Sequence, residues 1–177
     1  MAEQFHQDPG SRNPTPMARR HDAPPSESRH DAYRETEHHR EPAVCDGCGA
    51  VYRSGRWTWP TQAPPAGAHH VDCPACRRTR DDYPAGFLEL RGAVVAGHRQ
   101  EVLDIVHRET AQERQEHPLH RIIAIRPAGG DGAAIEVTTT DVHLPRRLGR
   151  ALQQAHGGTF DFHYADEDQV IRARWDS

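Results

Sequence analysis

Apolar positions are sparse at the start of the chain and become periodic after it. Over residues 1–42 the large apolar side chains beyond Met1 are Phe5, Met17 and Tyr33, set among Pro, Arg, Glu, Asp and His. Such a stretch buries too little surface to offset the entropy of ordering it. The pattern predicts a disordered arm over 1–42, in which 6 Arg stand against 8 Asp and Glu.

A regular alternation begins after "YPAG" (83–86), which punctuates the chain. "FLELRGAVV" (87–95) reads as a strand with Gly92 as a bulge. "HRQEVLDIVHRETAQERQE" (98–116) reads as a helix whose apolar face is Val102, Leu103, Ile105 and Val106, ended by "HP". "RIIAIRP" (121–127) and "AAIEVTTT" (133–140) form a hairpin across "AGGDG". "HLPRRLGRALQQAH" (143–156) places Leu144, Leu148, Ala151, Leu152 and Ala155 on one arc of a helix. Thr140 or Asp141 is positioned to cap its start and Gly157 or Gly158 its end. "TFDFHYA" (159–165) and "QVIRARW" (169–175) are two further strands separated by "DED". The order is β-α-β-β-α-β plus one terminal strand, which predicts an α+β domain of the ferredoxin-like type over 85–177 with an extra C-terminal strand. That fold hosts RNA-binding domains and many unrelated proteins, so it carries no function by itself.

Composition narrows the picture. The 177 residues are 35% hydrophobic, and the mean hydropathy is −0.88. No apolar run approaches the roughly 20 residues a membrane span requires, and the N-terminus has no export signal, so a cytoplasmic setting without membrane contact is expected. Net charge is −4, and all 22 basic residues are arginine. The whole chain is therefore no electrostatic magnet for nucleic acid, and only a local concentration of arginine can act as one.

All four cysteines lie in two knuckles, "CDGCG" (45–49) and "CPACRR" (73–78), with 24 residues between Cys48 and Cys73. In a reducing compartment such pairs read as metal ligands before disulfides. Cys45, Cys48, Cys73 and Cys76 are the expected ligands of one tetrahedral Zn2+ per chain, in a zinc ribbon over 43–84. Gly47 and Gly49 suit the tight turn of the first knuckle. Four thiolates fill the coordination shell and leave no position for substrate, so catalysis at the ion is not expected. His69 and His70 read as loop residues.

Arginines and aromatics cluster around the knuckles. Arg53, Arg56, Trp57 and Trp59 lie between them, and Arg77, Arg78 and Arg80 follow the second. A ribbon with stacking aromatics and a basic rim suits single-stranded or structured RNA. The alternative is that the tryptophans simply cover the metal in a module with little core. Arg146, Arg147 and Arg150 form a positive strip on the helix face opposite Leu144, Leu148 and Leu152, with no acidic residue among them. It reads either as a second nucleic-acid contact or as a solvated helix face. No glycine-rich phosphate loop follows a strand, and Asp141 and His143 read as a helix cap, so no active site and no small-molecule substrate are expected.

The segments "CDGCG", "CPACRR", "YPAG", "LELRG", "EHPLHRI" and "TTTDVHLPRRLGRAL" resemble a family of short bacterial zinc-ribbon proteins of the low-oxygen-activated-locus type. That family is distantly similar to NMD3, the zinc-containing ribosome-biogenesis and export adaptor of eukaryotes and archaea. The resemblance spans about 43–175. The chain has one pair of knuckles and is far shorter than NMD3, without its later export domains, so a role in nuclear export is not expected. The resemblance implies a non-enzymatic module associated with rRNA or a ribosomal protein, used in biogenesis or under stress. Two rivals stand beside that expectation: an adaptor for an acidic protein partner, and a redox-sensitive zinc switch whose thiols oxidise and release the ion.

Overall fold

The computed structural model describes residues 33, 39–64, 66–130, 133–165 and 170–177. The expected arm over 1–42 therefore lies mostly outside the described residues. Its described part lies against the ribbon. The His39 ring is 5.3 Å from that of Tyr52, and Glu41 accepts the Ser54 and Gly55 amides at 2.6 and 2.9 Å. Tyr33 stacks on Tyr83 with ring centroids 4.9 Å apart. The boundary at 43 thus cuts through residues that pack together.

The first unit is a four-stranded sheet in the order β3-β2-β1-β4. Its strands are β1 (Ala43–Cys45), β2 (Val51–Arg53), β3 (Arg56–Thr58) and β4 (His69–Val71), followed by helix α1 (Pro74–Arg80). The β2–β3 hairpin turns through Ser54 and Gly55, both at positive φ. The parallel pairing of β1 with β4 sets Cys45 opposite Val71, which brings the two knuckles together.

The second unit comprises β5 (Gly86–Arg91), α2 (Ala93–Gly97), α3 (Arg99–Glu116), β6 (Ile122–Ala128), β7 (Ala134–Thr139), α4 (Leu144–His156), β8 (Thr159–Ala165) and β9 (Val170–Asp176). The fold is α+β, with the six-element order and the added strand that the sequence pattern predicts. The sheet runs β6-β7-β5-β9-β8. The added strand is not at the edge: β9 lies parallel to β5 and carries β8 outward as an antiparallel neighbour. Burial explains the choice. In β9, Val170, Ile171, Ala173 and Trp175 are all buried, whereas no β8 residue is. The more apolar strand takes the central place.

Helices cover one sheet face. Leu144, Leu148 and Leu152 of α4, Val102, Ile105 and Val106 of α3, and Leu88, Leu90, Ile135, Val137 and Trp175 of the sheet form one buried cluster. The α4 stripe follows the i, i+4, i+8 spacing, and each such leucine contributes about 1.5–3 kcal/mol on burial. A second cluster fills the ribbon around Ala43, Cys45, Tyr52, Trp57 and Cys73. The expected strand over 87–95 ends earlier, at Arg91. Gly92 has φ 100°, and a Cβ there would stand 2.3 Å from the Ser177 carbonyl oxygen. Ser177 clamps this turn, donating its N–H to the Arg91 carbonyl at 3.1 Å, and the next residues coil into α2. Among the described residues, no helix is long and apolar enough to cross a membrane.

Candidate metal centre

The first knuckle forms because β1 ends in a tight turn. The Cys45 amide donates to the Ala50 carbonyl and the Gly49 amide to the Cys45 carbonyl, each at 2.8 Å, with Gly49 at φ 77°. Gly47 is required for space, since a Cβ there would lie 2.8 Å from Cys76 Sγ. The second knuckle opens α1. Pro74 occupies the first turn, and Cys73 Sγ caps the helix by accepting the Cys76 amide at 3.4 Å. The Cys73 amide donates in turn to Cys45 Sγ at 3.2 Å.

These turns converge the four sulfurs to within 4.8 Å of one another. Cys45 Sγ lies 3.6 Å from Cys76 Sγ, and Cys48 Sγ 3.8 Å from Cys73 Sγ. Thiolate bonds of about 2.3 Å to a tetrahedral ion give a sulfur–sulfur edge of about 3.8 Å, so the arrangement fits one metal ion. All four are free thiols. His70 is not a ligand: it lies in β4, with Nδ1 2.6 Å from Asp46 Oδ1.

A fifth residue belongs to this centre, and it comes from the other unit. Arg121, directly before β6, donates from Nη2 to Cys48 Sγ at 2.9 Å and from Nη1 to Cys76 Sγ at 3.3 Å. Burial pushes the Cys73 and Cys76 thiols up. Burial acts on Cys48 too, but the Ala50 backbone and the Arg121 guanidinium outweigh it and bring that thiol down to about 7. Burial disfavours charge on Arg121 itself, yet its bonds to Cys48 and Cys76 hold its pKa above the ordinary value. No spacing rule finds Arg121, because it stands 45 residues beyond Cys76.

The expected nucleic-acid residues separate into groups. Trp57 is only 5% exposed and lies against Tyr52 at 5.4 Å, inside the ribbon core. Trp59 is half-buried; its indole donates to the Arg114 carbonyl, and the Arg114 guanidinium sits 5.5 Å from the ring. The stacking platform expected of these tryptophans is not formed: they fill the ribbon and seal it against α3. Arg78, 4% exposed, donates to the Tyr83 carbonyl at 3.1 Å and lies 4.9 Å from the Tyr33 ring, so it does not belong to an exposed rim. Arg77 is half-buried, 5.3 Å from the same ring. Arg80 pairs with Asp72 and, at 3.4 Å, with Asp81. Arg53 and Arg56 are exposed, stand opposite each other at the β2–β3 turn, and have no ion pair among the described residues.

The strip on α4 is less positive than its own sequence implies, because α3 packs alongside it. Arg147 pairs with Glu113 at 3.0 Å and Glu109 at 3.5 Å. Arg146 lies 4.6 Å from the Phe162 ring and donates to the Tyr164 hydroxyl at 3.3 Å. Arg150 is exposed along the groove of about 460 Å³ that these helices enclose. Asp141 caps α4, its Oδ1 accepting the His143 and Leu144 amides at 2.7 and 2.9 Å.

Compared with known proteins, the chain matches no family model, no curated protein and no solved structure.

Proposed function

We propose that this chain is a non-enzymatic zinc-ribbon protein that binds rRNA or the ribosome, with one structural Zn2+ held by Cys45, Cys48, Cys73 and Cys76. Zinc is the ion because a closed all-thiolate set at these separations suits it, and because it needs no redox partner. The observation that carries the RNA reading is the pair Arg53 and Arg56, exposed at the tip of the β2–β3 hairpin, whose strand β2 pairs with β1, the strand that ends in Cys45. Two guanidiniums paired across a short hairpin offer two forks to neighbouring phosphates. Arg77 and Arg150 extend this set; Arg78, Arg147 and Trp57 do not, because their side chains are engaged within the protein. The setting proposed is the cytoplasm, in biogenesis or under stress, in line with the resemblance to the NMD3-related family.

The test is co-sedimentation with ribosomes and binding to rRNA fragments at rising salt. Replacing Arg53 and Arg56 by Glu leaves zinc content unchanged and weakens binding. If each meets one phosphate of single-stranded RNA, the slope of log affinity against log salt falls by about 1.4. A charge-reversed protein that binds as the wild type does ends this reading.

A second reading, an adaptor for a protein partner, is favoured by the uncovered sheet face. There Arg126, Glu136, Glu89, Arg174 and Asp161 follow one another across five strands. Charges of both signs mixed over so short a distance suit a protein surface better than a polyanion.

A further inference from the structure

Arg121 is where the larger unit reaches the four sulfurs, and it is fixed from behind. Its Nε donates to the Pro118 carbonyl at 2.7 Å. Its backbone N–H donates to Thr140 Oγ1 at 2.9 Å, and the Thr140 amide returns to the Arg121 carbonyl at 2.9 Å. The same Thr140 hydroxyl lies 2.6 Å from the carbonyl of Leu119, whose side chain packs against the ribbon core. The guanidinium is thus held at one place by the 117–121 loop and the end of β7, rather than sweeping through solvent.

Chemistry gives that placement a consequence. Four thiolates around a divalent ion leave a net charge of about −2, and removing that charge from water is costly. A fixed cation that donates to the sulfurs offsets this cost, as partners outside the ligand shell do at other metal sites. Arg121 contacts Cys48 from the first knuckle and Cys76 from the second, so its two bonds span the centre.

We propose that Arg121 is the outer partner of the metal centre, and that it couples ion binding in the ribbon to the docking of the ribbon on the α+β unit. This rests on the zinc reading above. Arg121 is a positioning residue, not a ligand. It strengthens the ion's hold, and the ion in turn orders the 117–121 loop, because each contributes to the same set of N–H···S bonds.

The experiment uses the full chain as wild type, Arg121→Gln and Arg121→Lys, with zinc as the probe. Zinc affinity is measured by competition with a chromogenic chelator, and amide exchange at Arg121 and Thr140 is followed with and without zinc. Far-UV circular dichroism verifies the fold of each variant. Gln keeps bulk and a donor but no charge; its affinity falls about 10- to 100-fold. Lys keeps the charge without the fork and recovers part of the loss, a rescue that a purely space-filling role would not produce. Removing zinc from the wild type speeds exchange at Arg121 and Thr140, and does so less in Arg121→Gln. Folded Arg121→Gln with affinity within twofold of the wild type overturns the proposal, as does zinc removal that leaves both amides unchanged. A wild type that takes up no zinc overturns this proposal together with the reading it rests on.

Discussion

Gly149 of α4 lies directly beneath the ring of Phe160 in β8: a Cβ at Gly149 would stand 1.9 Å from Phe160 Cε2. The contact is how the outermost strand, though pushed to the edge by β9, still packs on the helix layer. Gly in the middle of a helix ordinarily costs about 1 kcal/mol relative to Ala, so an exposed Gly→Ala change would stabilise. Here the sign reverses. Gly149→Ala forces the ring aside and is expected to lower stability by about 1–3 kcal/mol. Thermal denaturation shows this, and adding Phe160→Leu to Gly149→Ala should recover part of the loss. A single variant that is more stable than the wild type would contradict the packing.

Metal removal should act unevenly. The ribbon core is small and is built around two of the cysteines, Cys45 and Cys73, whereas the larger cluster contains none. Cys48→Ser or a strong chelator is expected to abolish amide protection over 43–84 while α3, α4 and their sheet keep theirs. The loop at 117–121 should loosen with the ribbon. Because thiols must lose protons to bind the ion, zinc affinity should also fall steadily below neutral pH, read by chelator competition across pH.

Trp57 should matter for folding before it matters for any partner. Trp57→Ala opens a cavity beside Tyr52 in the ribbon core, with an expected cost of about 3–5 kcal/mol. The expected readout is weaker zinc retention and faster exchange across β1–β3. A variant with unchanged zinc retention and exchange would contradict this role in the ribbon core.

Asp141 gives the fold a pH dependence. Burial holds its carboxyl above the ordinary value; the charge of His120 and the amides of Leu144 and His143 oppose this but do not cancel it. Among the described residues its Oδ2 is buried with no hydrogen-bond partner. The folded state therefore holds the proton more tightly than the unfolded state. The resulting stabilisation is complete below the ordinary value of 3.8 and is lost as pH rises through the folded one. Asp141→Asn keeps an acceptor for both amides and removes the titration. Urea midpoints from about pH 4 upward should fall less steeply for the variant than for the wild type.

Arg147 should behave as a structural ion pair. Its partners Glu113 and Glu109 are largely sequestered between the helices, while Arg147 is 41% exposed. Arg147→Glu sets three carboxylates together and should destabilise by about 1 kcal/mol or more, a loss that shrinks as salt screens the repulsion. Denaturation at low and high salt measures it. A loss of ribosome binding in this variant would therefore not by itself mark Arg147 as a contact.

Much of the fold is legible along the chain because its signals are local. The Leu144, Leu148, Leu152 repeat, the Asp141 cap and the Gly157 stop place α4 to within a residue. The alternation in Phe160, Phe162 and Tyr164 places β8 in the same way. The strand expected to run through Gly92 fails because what decides it is the approach of Ser177, 85 residues away, and apolar periodicity does not see a close backbone contact. The four-cysteine cluster is legible because two residues between paired cysteines is itself the spacing of a chelating turn.

What the sequence determines by itself is therefore whatever rests on short spacing: the four paired cysteines, the element order, and the buried face of each helix. Tertiary structure alone decides the rest. It sets β9 between β5 and β8, because burial compares whole strands rather than neighbouring residues. It turns Trp57 and Arg78 inward and places Glu109 and Glu113 against Arg147, so a cationic strip on one helix becomes an ion-paired seam between two. It also carries Arg121 to the sulfurs of Cys48 and Cys76. A charge acts through space and not along the chain, so its partner can be identified only once the units are packed together.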